Sequence, residues 1–218
     1  MRVAIAGGHG KIARLLTHRL SQRAIGVSAL IRNPDHADDV RAAGAEPVLC
    51  DLEEAAEEAV ADALDGVDAV VFAAGAGPGS GPERKWTVDH AGATKLAAAA
   101  QAKGIRRYLM VSSIGADPAR EGDDTFSVYL RAKGQADADL QASGLDYTIV
   151  RPASLTDDPG TGRVNLADRV GGGSISREDV AAVLDAALAE PAAVGRTFEA
   201  AAGEVPVDEA VASLSGAR

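Results

Sequence analysis

The sequence predicts an α/β fold: a doubly wound parallel sheet with strand order 3-2-1-4-5-6 and a small C-terminal extension of helix and strand. Three observations predict it. Short aliphatic runs alternate with Ala-rich helical runs through residue 150. Those apolar runs are continuous, as strands covered on both faces are, and do not alternate with polar residues. A glycine cluster joins the first of them to the first helical run.

The strand-like runs are residues 2–6, 26–31, 46–50, 67–73, 106–111 and 146–150, aliphatic or β-branched and several bounded by Gly, Asp or Pro. Between them lie helical runs over 11–23, 35–43, 54–64, 84–103 and 128–143. Each parallel crossover needs such a helix, so the alternation itself implies the parallel sheet. The segment 75–82 (GAGPGSGP) is the most irregular and predicts a loop after the fourth strand. Beyond Arg151-Pro152 the pattern changes to a loop rich in Gly, Asp and Pro and then to the Gly171-Gly172-Gly173 turn. A helix follows, with Ser176 as its cap and Asp179 placed for a capping box. A short strand near Thr197-Phe198-Glu199 and a last helix from Pro206 complete the chain. The reading is one domain over 1–218, with 152–218 as its small substrate-side extension.

Composition narrows the function. At 218 residues with 46% hydrophobic but only 3% aromatic residues, the core must be built from small side chains between closely packed layers. A net charge of −10 argues against nonspecific binding to nucleic acid or anionic lipid, which the chain would repel. An anionic ligand must therefore meet a local positive feature. The single cysteine, Cys50, excludes an internal disulfide or a thiolate metal cluster and reads as a small buried hydrophobe. The chain opens directly on a strand and has no long uninterrupted apolar stretch, so a soluble cytoplasmic protein is expected.

The first strand runs into Gly7-Gly8-His9-Gly10-Lys11-Ile12-Ala13. Gly7 suits a tight turn, Gly10 lets backbone approach a pyrophosphate, and Ala13 lets the helix lie close on the sheet. The first-turn N–H groups and the helix dipole then hold the diphosphate. This is the dinucleotide turn of a Rossmann fold, which makes the backbone from Gly7 through Ile12, His9 included, the expected cradle. The second strand ends in Arg32-Asn33, where a protein selective for NAD carries Asp or Glu. Arg32 suits a 2′-phosphate, with Asn33 as a further donor, so NADP(H) is the expected cofactor and NAD(H) the alternative. The other reading of Arg32 is a solvated strand end. Asp51, beside Leu52, either accepts from an adenine amino group or caps the next helix. Ala73-Ala74-Gly75 offers a slim edge for an adenosine to rest on.

Tyr129 and Lys133 sit four apart at the start of a helical run, so both face one side one turn apart. An ammonium beside a phenol eases loss of the phenol proton, as acid–base catalysis requires. The fifth strand ends in Ser112-Ser113, at the carboxyl edge where open α/β sheets bind ligands. His9 and His90 lack further ligands at metal-binding spacing, so no metal is expected. His18 and His36 read as solvated surface, and Trp86 and Phe126 either line a substrate pocket or pack in the core.

Together the Gly-x-x-Gly-x-x-Ala turn, Ser112-Ser113, Tyr129-x-x-x-Lys133 and Tyr147-Thr148-Ile149-Val150-Arg151-Pro152 resemble the short-chain dehydrogenase/reductase superfamily. The likeness is to its atypical branch of compact NAD(P)H-binding, epimerase-like proteins. The run from Gly92 to Ser113 and Arg177-Glu178-Asp179-Val180 carry it further along the chain. The resemblance implies that Ser113 polarises the substrate, Tyr129 is the general acid/base, and Lys133 orients the ribose and tunes Tyr129. It also implies that Ser112 lies at the cofactor and that Pro152 and Ala153 offer backbone groups to the nicotinamide amide. Asp89 departs from the pattern, standing where many relatives carry the Asn of a catalytic tetrad. The segment between Ser113 and Tyr129 is short and acidic, unlike a sugar site.

The expected activity is NADP(H)-dependent oxidoreduction of a small carbonyl-like or quinone/flavin-like acceptor. A non-catalytic NADP(H) sensor acting on a redox partner is the alternative. A nucleotide-sugar epimerase or dehydratase ranks below both, because little chain remains for a sugar-binding lobe. The expected state is monomer or homodimer, with the Ala-rich runs 84–103 and 128–143 as a possible dimer seam.

Overall fold

A computed structural model describes residues 1–77 and 79–216; Pro78, within the irregular 75–82 segment, and the last two positions of the chain lie outside the described residues. In chain order the elements are β1 (Arg2–Ala6), α1 (Lys11–Gln22), β2 (Gly26–Ile31), α2 (Ala37–Ala42), β3 (Glu46–Leu49), α3 (Glu57–Asp62) and β4 (Ala69–Phe72). Next come α4 (Pro82–Arg84), a π-helix (Lys85–Gly92), α5 (Ala93–Ala102), β5 (Arg107–Val111), α6 (Thr125–Ala142) and β6 (Asp146–Pro152). The remainder is β7 (Ser154–Thr156), β8 (Arg163–Ala167), β9 (Ser174–Ser176), α7 (Arg177–Ala189), β10 (Arg196–Ala202), β11 (Val205–Pro206) and α8 (Val207–Ala212).

The first six strands pair in parallel in the order β3-β2-β1-β4-β5-β6. β1, at the centre, has Val3, Ala4, Ile5 and Ala6 fully buried, because helices cover both of its faces. One face packs on α1 and α7 through Leu16, Leu20, Val180 and Leu184. The other packs on α3, α5 and α6 through Val60, Leu96, Ala100 and Leu140. Alanines line much of both layers, which is how a chain so poor in aromatics fills its core.

The C-terminal part is more than an appendage. β10 adds to the main sheet in parallel beside β6, and β8 and β11 then pair antiparallel, giving nine strands. β8 (RVNLA) was expected as loop; only its pairing with β10, distant in sequence, makes it a strand. The long helix expected over 84–103 is broken into α4, the π-helix and α5. Asn33 caps a 3₁₀ turn ahead of α2 by accepting from the Asp35 N–H at 3.0 Å. Ser176 caps α7 as expected, accepting from the Asp179 N–H at 2.9 Å. Asp179 does not close a capping box. Its carboxylate accepts instead from the Thr161 and Gly162 N–H groups at 3.0 and 2.8 Å and so pins the loop before β8.

The segment after β5 folds back over α6, and one glycine permits it. A Cβ at Gly134 would stand 2.3 Å from the Asp117 carbonyl carbon and 2.4 Å from the Pro118 nitrogen. Alanine gains about 1 kcal/mol of helix propensity there. A net loss for Gly134→Ala is nevertheless expected, about 1–3 kcal/mol from overpacking against backbone. Thermal melting checks it, and an unchanged or raised Tm would show that the loop yields freely.

Candidate functional site

The glycine turn forms as expected. Gly7 sits at φ +75°, and a Cβ on it would stand 2.7 Å from Ala74 Cα. The Gly10 N–H closes the turn on the Gly7 carbonyl at 2.7 Å. Gly8, not singled out by sequence, has its own steric need: its Cβ would lie 2.5 Å from that of Ala29 on β2. Ala13 is fully buried. No side chain caps α1, and no acidic residue stands in its first turn. Beside this uncapped helix start lies a cavity of about 330 Å³, lined by Gly7, Gly8, His9 and Gly10 and bounded by the ends of β2, β3 and β4.

Arg32, Asp51, Leu52, Ala73, Ala74 and Gly75 all line this cavity. Arg32 is not free in it, since its Nη1 lies 3.5 Å from Glu53 Oε2. Glu53 also accepts from Arg84 and from Thr87 Oγ1 at 2.6 Å, and the Arg84 hydrogen bond holds its carboxyl below the usual range. Glu53 and Arg84 went unseen in the sequence; they lie 31 residues apart and only the fold joins them. Arg84 adds a second guanidinium to the cavity wall. Asp51 Oδ1 accepts from the Glu53 N–H at 2.9 Å, a local turn and not the cap of the next helix, whose N-cap is Ala56. Cys50 is buried and its thiol is pushed up by that burial, as suits a packing residue.

Two side chains of the turn are engaged elsewhere. His9 Nε2 lies 2.8 Å from Asp39 Oδ2, and its ring stacks on His36 at 3.7 Å. His36 thus lines the cavity and is not simple solvated surface. Lys11 Nζ pairs with Asp157 at 2.6 Å on the outer side of α1, where Asp157 also holds Arg177. Only the backbone of Lys11 remains at the helix start.

A second cavity of about 510 Å³ shares Ala73, Ala74 and Gly75 with the first, so the two form one cleft along the carboxyl ends of the strands. Tyr129, Lys133, Ser112, Asp89, Lys85, Phe126, Leu155 and Ile12 line it. Asp124 caps α6, accepting from Phe126 and Ser127 N–H groups at 3.0 Å, and so sets the turn that carries Tyr129. Lys133 is 3% exposed; it donates to the Val111 carbonyl at 3.0 Å and pairs with Asp89 at 3.2 Å. Burial works against its charge, but Asp89 and then Tyr129 outweigh burial and hold its pKa above the ordinary lysine value. Asp89 is itself 1% exposed and accepts from the Ala76 N–H at 3.2 Å. Its place in the site is therefore that of counter-ion to Lys133.

The two serines divide. Ser112 is buried and donates to Asp137 Oδ2 at 2.9 Å, where Arg151 Nε also donates at 2.8 Å. Burial pushes the Asp137 carboxyl up, against the pull of Ser112 and Arg151. Ser113 is half-buried, donates to the Ile114 carbonyl at 3.2 Å, and lies beyond the residues that line the cavity. Asp137 escaped sequence reading, although it lies one turn past Lys133. The Pro152 carbonyl accepts from Ile114 N–H, and the Ala153 N–H donates to Ala200, so these groups knit β6 to its neighbours. Trp86 meets His90 edge-on at 5.6 Å and lies outside both cavities, whereas Phe126 is 61% exposed at the mouth of the second.

Similarity to known proteins agrees with this geometry. The "Uncharacterized sugar epimerase YhfK" of Bacillus subtilis is 38% identical over 98% of this chain and 100% of its own length. A solved Bacillus halodurans protein described as an NAD-dependent epimerase/dehydratase superposes with a TM-score of 0.90 at 38% identity, over 98% of this chain and 99% of that one. The oxidoreductase YlbE of Lactococcus lactis follows at TM-score 0.86 and 27% identity, over 98% and 96%. A family model described as NAD(P)H-binding matches residues 7–191, and by that match the chain belongs to the NAD(P)H-binding family.

Proposed function

We propose that this protein is an NADP(H)-dependent oxidoreductase acting on a small carbonyl-like or quinone/flavin-like acceptor. The observation that carries the reading is the shared cleft: an uncapped helix start at one end, Tyr129 with the buried Lys133–Asp89 pair at the other. The residues present fit a dinucleotide. Glycine backbone and free first-turn amides suit its diphosphate, and Arg32 with Arg84 suits a 2′-phosphate. The nicotinamide supplies hydride chemistry when bound. In the reducing direction Tyr129 gives its phenolic proton to the acceptor oxygen as the acceptor carbon gains hydride. Lys133, held by Asp89, keeps positive charge beside that phenol. Ser112 is a positioning residue tied to Asp137, and Ser113 reaches the acceptor only if its hydroxyl turns from Ile114. The single buried free cysteine suits a reducing, cytoplasmic setting. Among the described residues no helix is long and apolar enough to cross a membrane.

The second cavity sets Phe126, Leu155 and Ile12 beside its polar groups, an apolar share that suits a small carbonyl or quinone better than a hydroxyl-rich nucleotide sugar. NADPH oxidation against ketones, quinones and flavins tests the proposal. Tight cofactor binding with no acceptor reduced would favour the sensor reading; absence of cofactor binding would remove both.

Arg32→Ala is expected to weaken NADPH by about 1.5–3 kcal/mol, the worth of a charge-assisted hydrogen bond, with NADH nearly unaffected. Calorimetry of the two cofactors checks it. Equal weakening would show that Arg32 does not read the 2′-phosphate.

A further inference from the structure

Lys85 is the charged group in the cleft that the reading above leaves unused. Its residue is 7% exposed, yet among the described residues no carboxylate pairs with it. Its Nζ donates to the Gly77 carbonyl at 2.9 Å and stands 5.5 Å from the centre of the Tyr129 ring. The other ammonium of this cavity, Lys133, has its counter-ion in Asp89. The second cavity therefore carries one uncompensated positive charge, in a protein whose net charge is −10. A cation taken out of water with a carbonyl and a ring face as partners is underpaid in electrostatic terms, and an anion brought beside it offsets that cost.

The helix geometry points the same way. Lys85 opens the π-helix and Asp89 follows in it, and both are buried against the cleft. π-turns are rare and recur at functional sites, where they re-aim side chains. The cavity that Lys85 lines also holds apolar groups: Phe126 is 61% and Leu155 37% exposed, and the Phe126 and Tyr129 rings lie 6.1 Å apart at 29°. Phe126 and Leu155 are large apolar groups left facing solvent within a polar-lipped cleft.

We propose that Lys85 selects the acceptor, which is an aromatic or otherwise apolar carbonyl compound bearing a carboxylate beside its carbonyl. The carboxylate pairs with the Lys85 ammonium, the apolar body lies on Phe126 and Leu155, and the carbonyl oxygen comes to the Tyr129 hydroxyl. The reaction balances with what the oxidoreductase reading supplies: the carbonyl carbon gains hydride, its oxygen gains the Tyr129 proton, and the product is the 2-hydroxy acid. This assignment rests on that reading.

The test uses a matched pair, phenylglyoxylate and its methyl ester, titrated calorimetrically into wild type and Lys85→Met with NADP⁺ loaded. Wild type is expected to prefer the carboxylate by about tenfold or more, the equivalent of ~1.4 kcal/mol. Lys85→Met is expected to bind the two alike. Loss of the Gly77 contact alone would weaken both probes equally and leave their ratio intact. A second readout needs no ligand: the Lys85→Met apoprotein is expected to melt at or above the wild-type Tm, since it loses a buried charge and keeps the chain length. Equal or absent binding of the pair to loaded wild type, or a preference that survives Lys85→Met, overturns the assignment and leaves the oxidoreductase reading standing. A clear fall in Tm assigns Lys85 to holding the loop and overturns it too. Failure of wild type to take up NADP⁺ removes the reading and the assignment together.

Discussion

Tyr129→Phe is expected to lower acceptor-dependent NADPH oxidation by about 10²–10⁴-fold, the range for loss of a positioned general acid. Cofactor affinity and Tm are expected to stay close to wild type. The substitution removes one oxygen and keeps the ring, so the contact with Phe126 and the face presented to Lys85 survive. Tyr129 is half-buried, and among the described residues no hydrogen bond ends on its hydroxyl, so removing that oxygen orphans no partner there. A fall in kcat/KM with unchanged NADP⁺ binding separates a proton donor from a packing residue. Steady-state rates against the best acceptor, with calorimetry alongside, make the measurement. Equal rates for the two proteins would take Tyr129 out of the chemistry.

Lys133→Met is expected to give the largest stability effect of any single change in the site. Lys133 and Asp89 are both buried, 3% and 1% exposed, and they pair at 3.2 Å. Removing the ammonium leaves the Asp89 carboxylate, among the described residues, with the Ala76 N–H as its remaining hydrogen-bond partner. Breaking a buried pair in this one-sided way costs about 3–5 kcal/mol, a large share of the ~5–15 kcal/mol that stabilises a typical domain. For a chain of this size each kcal/mol lowers Tm by about 2–4 °C. The double variant Lys133→Met/Asp89→Leu is expected to recover most of that loss, because an apolar pair replaces an orphaned charge, while activity stays lost. The sign of the pH dependence follows from the raised Lys133 pKa. Its contribution is whole below the ordinary lysine value and fades only as pH rises through the higher folded value. The gap in Tm between wild type and Lys133→Met therefore persists across neutral pH and closes only in strong alkali. Thermal melts of the three proteins check this; a single variant that melts with wild type would mean the pair contributes no net stability.

The residues that sequence reading found are those whose role depends on near neighbours. Gly7 and Gly10 close one turn of chain on each other, and Tyr129 and Lys133 share a face by helical spacing alone. The six parallel strands were legible because burial on both faces writes itself as an unbroken apolar run. Asp89, visible only as a departure from the pattern of relatives, found its meaning when the fold set it against Lys133, 44 positions away in the numbering. Glu53 with Arg84, and Ser112 with Asp137, were out of reach for the same reason: 31 and 25 residues separate the partners.

By itself the sequence determined the layered sheet, the glycine turn and the shared helical face of Tyr129 and Lys133, since each is fixed by local periodicity or by what a backbone can do without a Cβ. Tertiary structure alone decided which charges are neutralised, which serine faces the cleft, that β8 and β10 extend the sheet, and that a π-turn carries Lys85 inward. Those outcomes depend on groups distant in the chain meeting away from water, where a charge or a hydrogen bond is worth most and no local pattern records its partner.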